Sequence, residues 1–185
     1  MNTLKGILYT ALVILMLGIL QDIFAQSGGK GSGSDMHHFC EINILQPLKF
    51  GHIVRSNGKV SVKHDGTRFL DGIASFGGEN YQPAKFEIIA KPGTHFRAEL
   101  SVINKKVFNE SSIGELDFEP GKLRIEGQNG DHIVKDGEYF IMPPGTPHEK
   151  GRHKVTAYLG GELTINSNSY VGLYNGHIEL FLINE

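Results

Sequence analysis

A chain of 185 residues with a formal net charge of −2 has no basic field to draw nucleic acid, and its one cysteine, Cys40, cannot close a loop within its own chain. Stability must come from burial and strand pairing, and the 24 glycines leave room for many tight turns.

The chain opens with the pattern of a secretory signal peptide, expected over residues 1–25. Lys5 supplies the positive side chain, Gly6 to Leu20 is an apolar run shorter than a membrane span needs, and Ala25 offers a small residue at the cut. Ile23 is larger than usual at the third position before that cut, so an uncleaved anchor is the alternative. Cleavage after Ala25 leaves 160 residues, enough for one domain with its own core. Residues 26–37, rich in Gly and Ser, have almost nothing to bury and predict a flexible tether. A single domain is expected over 38–185.

Within that domain the side chains alternate. Cys40, Ile42 and Ile44 share one face of a first strand, and Pro47 ends it or steps it to an edge. Asn57-Gly58 and Asp65-Gly66 are turn signals on either side of Val60 and Val62. Pro83 to Ile89 and His95 to Val102 read as strands about the turn at Pro92-Gly93, the second with Phe96, Ala98, Leu100 and Val102 on one face. Val107 to Phe118 is irregular, and Ser111 to Glu115 is too short and Gly-broken for a helix. Leu123 with Ile125, Ile133, and Tyr139 to Met142 mark further short strands. Val155, Ala157 and Leu159 lead to Gly160-Gly161, which predicts a bulge or corner. Two runs, Leu163 with Ile165 and Ile178 with Leu180, flank an Asn/Ser stretch and read together as a hairpin. The fold class expected is all-β, a sandwich or small barrel of short strands.

These turns and strands also carry a resemblance. Pro47-Leu48-x-Phe50-Gly51, Gly66-Thr67-Arg68, Pro83-Ala84-x-Phe86, Pro92-Gly93, Gly160-Gly161-x-Leu163 and Gly172-x-Tyr174-x-Gly176 stand in the order found in a bacterial exported family known as domain-of-unknown-function family 4402. The resemblance covers roughly residues 42 to 183. It implies an immunoglobulin-like antiparallel β-sandwich, secreted, periplasmic or on the surface of a Gram-negative cell, similar to fibre subunits such as the spore-coat-U-like pilins.

For chemistry the strongest pattern is Gly137-x5-Pro143-x-Gly145-x2-His148, which resembles the second motif of the cupin barrels and would make His148 a metal ligand. Arg152 stands where that motif expects Asn, and the upstream candidates, His95 and Glu99, lack a paired His. His148 and His153 with Glu149 between them, joined by His37-His38 or His132, form the other conceivable metal set. Glu115, Asp117 and Glu119 read as a solvated face and not a glycosidase pair. Cys40 reads as a small buried hydrophobe at the start of the first strand, and a Gly-x-Ser-x-Gly elbow is missing. No enzyme, cofactor, metal, nucleic-acid partner or membrane span after signal removal is therefore expected.

The function expected is a structural or interaction module of the bacterial envelope, a fibre component among the options, meeting other envelope or fibre proteins through its sheet edges. A cupin-like barrel using His148 and a secreted glycan- or small-molecule-binding domain are the alternatives. The tether lacks the alternating large apolar residues with which a strand could be donated to a neighbour. The apolar C-terminal strand predicts a self-complete, monomeric sandwich.

Overall fold

The computed structural model describes residues 40–54, 56–75, 80–102, 106–109, 114–170 and 173–184. The expected signal peptide, tether and His37-His38 lie outside them, as do Ser111 to Ile113 and Gly172. The described residues are all-β and the sheets antiparallel, as the alternating pattern predicts.

One sheet contains β1 (Cys40–Gln46), β6 (Ala84–Ala90), β13 (His153–Ile165), β9 (Glu115–Ile125), β8 (Lys106–Asn109) and β14 (Tyr174–Asn175), side by side in that order. β3 (Gly58–Val62) pairs with the second half of β13 and carries β4 (Arg68–Asp71) on its other edge. The short strands β10 (His132–Val134) and β12 (Thr146–Pro147) pair with β9 and β13. The facing sheet has β7 (His95–Val102) between β11 (Tyr139–Ile141) and β15 (Ile178–Asn184), and β2 (Lys49–Phe50) pairs with β5 (Tyr81–Gln82) alone.

In chain order the first sheet's run β1-β6-β13-β9 matches strands A-B-E-D of an immunoglobulin sandwich, and β7 paired with β15 matches C with F. Tyr174, in the connection leading into β15, donates its hydroxyl to the Tyr170 carbonyl at 2.7 Å, the backbone-pinning device such sandwiches use at the same corner.

β13 holds the two halves together. Its first half, His153 to Leu159, pairs with β6, while Gly161 to Ile165 pairs with β3, and β9 follows both halves with a register shift between Leu159 and Gly161. That shift is the bulge expected at Gly160-Gly161. A Cβ on Gly160 would run into the Val62 carbonyl and stand 2.9 Å from the His64 amide nitrogen, so only bare backbone lets β3 cross there.

Each half of β13 buries its own cluster. Ile88, Phe96, Leu123, Ile125, Met142 and Leu159 centre the larger one between the two sheets, with Phe96 and Phe140 packed at 5.8 Å. Val60, Leu116, Phe118, Leu163 and Ile165 form the smaller one, with Phe50 edge-on to Phe118 at 6.1 Å.

Two readings need correction. Leu163-Ile165 and Ile178-Leu180 are not hairpin partners: β13 and β15 lie in different sheets, and β15 pairs with β7 across residues 96–102. Period-2 alternation shows that each run has a buried face, but not which sheet completes it. The stretch taken as irregular before Phe118 is also the first half of an eleven-residue strand, β9, whose Glu115, Asp117 and Glu119 are exposed opposite buried Leu116 and Phe118.

Leu159, fully buried at the midpoint of β13, tests this architecture. Leu159→Ala is expected to cost about 3 kcal/mol, which lowers Tm by roughly 10 °C in a thermal melt. Leu173→Ala, at a side chain 61% exposed, is expected to shift it by no more than about 2 °C.

Candidate functional site

The site with the clearest physical demand on a partner is built by β1 and β15. Cys40, Ile42 and Ile44 face inward, opposite Ala90, Ile88 and Phe86 of β6. Ile178, Leu180 and Leu182 of β15 face inward too, opposite Val102, Leu100 and Ala98. β1 pairs only with β6 and β15 only with β7, so each offers a second edge that no described strand takes. In a seven-stranded sandwich that place beside strand F belongs to strand G.

The consequence appears at Ile44, which shares the inward face of Ile42 yet is 51% exposed. A cavity of about 230 Å³ opens beside it, lined by Ile44, Leu48, Phe86, Val102, Phe118 and Ile178 among others. It joins the two buried clusters, since Leu48 and Ile178 pack against both. Gln46 and His177 add polar groups at the lining, and the Gln46 amide already donates to the Pro83 carbonyl at 2.8 Å. The arrangement can take an apolar side chain between the sheets while strand backbone pairs at the edges, and the imidazole at its lining, His177, has its Nε2 3.6 Å from Glu179 Oε1.

The sequence candidates for metal are elsewhere, and the fold does not gather them. His153 begins β13, where its Nδ1 accepts the Gly145 N–H at 3.2 Å, so that nitrogen is committed to the β12–β13 hairpin. His148 is half-buried at the start of that hairpin's turn, its backbone N–H donating to the Arg152 carbonyl at 2.8 Å. His95 is exposed at the start of β7 in the other sheet, and Glu99 is ion-paired to Arg97 at 2.7 Å. Among the described residues no three His, Cys, Asp or Glu side chains converge as metal ligands. The Pro143-x-Gly145 part of the cupin-like pattern has a packing cause: a Cβ on Gly145 would meet the Lys154 carbonyl and stand 2.7 Å from Val155.

Cys40 is the small hydrophobe the sequence suggests, half-buried against the larger cluster. Burial, with Glu41 beside it, pushes the thiol up to about 12, against a smaller opposing pull from Arg152.

What sequence reasoning missed is the open edge. Ile178 to Ile183 reads as an apolar strand fit to close a domain, and nothing in alternation reveals whether a strand has one neighbour or two. The available signal was Ile44 with Leu45, adjacent large apolar residues where strict alternation fails. They stand at the β1 register shift, and both are more than half exposed.

A family model described as "Domain of unknown function (DUF4402)" matches residues 41–183. No curated protein and no solved structure matches the chain.

Two outcomes follow from these geometries. Tag-free protein analysed for metals is expected to hold less than about 0.1 equivalent of zinc, copper, iron or manganese, since isolated His ligands bind weakly, and His148→Ala should leave that value unchanged. At pH 8 the Cys40 thiol is expected to react with iodoacetamide at least about tenfold more slowly in the native chain than after denaturation in urea.

Proposed function

The chain belongs to the DUF4402 family, whose description names no activity, and we propose that it is a non-catalytic interaction module of the bacterial envelope, a component of a surface fibre. In this reading it is exported by its N-terminal signal, sits in the periplasm or on the cell surface, and meets other envelope proteins through its sheet edges.

The observation that carries it is the cleft at Ile44 and Ile178, where two strands, each with an edge that no described strand takes, flank an apolar cavity. Exposed apolar side chains in water cost free energy, and an unpaired edge is a template for another strand. A strand laid along β15 would remove both at once. The partner supplies that strand, because the chain's own Gly/Ser-rich residues 26–35 have no large apolar side chains to place in the cavity. The chain is thus the acceptor in the contact, and a monomer in the partner's absence.

A synthetic peptide that alternates Val or Leu with Ser or Thr tests this on the full-length chain. At about 100 times its Kd it is expected to stabilise the protein by about 2.7 kcal/mol, raising Tm by roughly 5–10 °C, while a scrambled peptide that breaks the alternation does nothing. Ile44→Asp, at a position already half exposed, is expected to leave the free protein's melt within about 2 °C and abolish the peptide's effect. Equal stabilisation of wild type and Ile44→Asp would sink the proposal, and so would a wild-type melt that the peptide does not move.

A further inference from the structure

We infer that the outer face of the larger sheet, across β6, β13 and β9, is a binding site for a linear anionic polysaccharide. The proposal is independent of the cleft, which lies on the inner side. Tyr158 of β13 stands directly opposite Lys85 of β6 on one side and Arg124 of β9 on the other. The Arg124 guanidinium lies 4.5 Å from the ring centroid and the Lys85 ammonium 5.7 Å, so one half-buried aromatic steadies a cation on each neighbouring strand. Lys122, exposed two residues before Arg124, extends the row on the same face. At its end Gly160 lies against the turn after β3 that carries Lys63 and His64. Burial holds the His64 imidazole below its usual range, and Arg124, Lys122 and Lys63 press it lower against the opposing pull of Asp65, so these charges act on one place.

The face is not uniformly basic. Arg124 is partly neutralised by Glu126 at 3.2 Å and Asp131 at 3.3 Å. Lys85 and Lys122 form no ion pair among the described residues, and on a chain of net charge −2 they are concentrated where they do not neutralise one another. Ammonium groups not tied up in ion pairs can meet an anionic partner.

The row sets the shape of that partner. Adjacent strands are spaced about 5 Å apart, so the backbones of Lys85 and Arg124, on either side of Tyr158, lie about 10 Å apart across the sheet, with Lys122 two residues away along β9. A polymer with one carboxylate or phosphate per sugar meets several of these cations at once and gains by multivalency, and the Tyr158 phenol can donate to or accept from sugar hydroxyls. A bilayer or nucleic acid would need a broad positive field, which this chain lacks.

Polygalacturonate is the probe, added to the full-length chain at low and high salt, with dextran as the neutral polymer and phosphatidylglycerol vesicles as the lipid arm. Binding of polygalacturonate but not dextran is expected, weakened by salt, and about tenfold weaker in Lys85→Gln/Lys122→Gln. Lys91→Gln/Lys150→Gln removes the same charge from exposed positions elsewhere and is expected to bind as wild type does. Undiminished binding in the first double variant, or equal loss in both, overturns the site. Binding to the vesicles without binding to polygalacturonate overturns the choice of ligand.

Discussion

The structure depends on one long strand being allowed to serve two partners in succession. β13 pairs with β6 over its first half and with β3 over its second. The change of partner happens where Gly160 and Gly161 leave no side chain to keep the incoming strand away. Any Cβ at Gly160 would strike the Val62 backbone, so the constraint is steric and local, yet its effect is global. The larger cluster and the smaller one are separate hydrophobic bodies, and this backbone, flanked by β9 from Ala157 to Thr164, makes them one domain.

Much of that was legible from residues. The alternation of Phe96, Ala98, Leu100 and Val102 placed β7, because a strand with one wet side must show period two. Gly58, Gly66 and Gly93, proposed as turn residues, all have positive φ. The Gly160-Gly161 pair was readable as a bulge because glycines inside a strand pattern have few other uses. Pairing was not legible in the same way. Leu163-Ile165 and Ile178-Leu180 look like neighbours because they are close in sequence, but the choice between sheets is made by which buried face each completes. That depends on Phe118 and Val60 for one and on Leu100 and Ala98 for the other. These are contacts between distant parts of the chain, invisible to a local pattern.

The candidate site shows the same limit from another side. The histidines His95, His148 and His153 attract notice because their chemistry is explicit in their names. The fold places His95 apart from the β12–β13 hairpin and occupies Nδ1 of His153 with a backbone donor. The cleft is made of ordinary side chains, Ile44, Phe86 and Ile178, whose meaning lies only in an edge that no described strand takes. Functional surfaces made from an unfinished sheet carry no motif, whereas the row of Lys85, Tyr158 and Arg124 becomes a pattern only once register sets three strands side by side.

The register also fixes where the ends of the two edge strands stand. Cys40 opens β1 opposite Ala90, beside the β6–β7 turn, and Asn184 lies opposite Phe96 just past that turn, so β1 begins and β15 finishes at the same pole. The cavity lies at the other pole, beside Ile44 and Ile178. Tension applied between the two edge-strand ends would therefore peel rungs one at a time. A load entering at Cys40 and leaving through a molecule gripped at the cavity would instead run lengthwise along β1 and strain its rungs to β6 together. Ladders loaded in parallel resist far more than ladders unzipped, so the sandwich has a strong axis and a weak one, set by the strand directions alone.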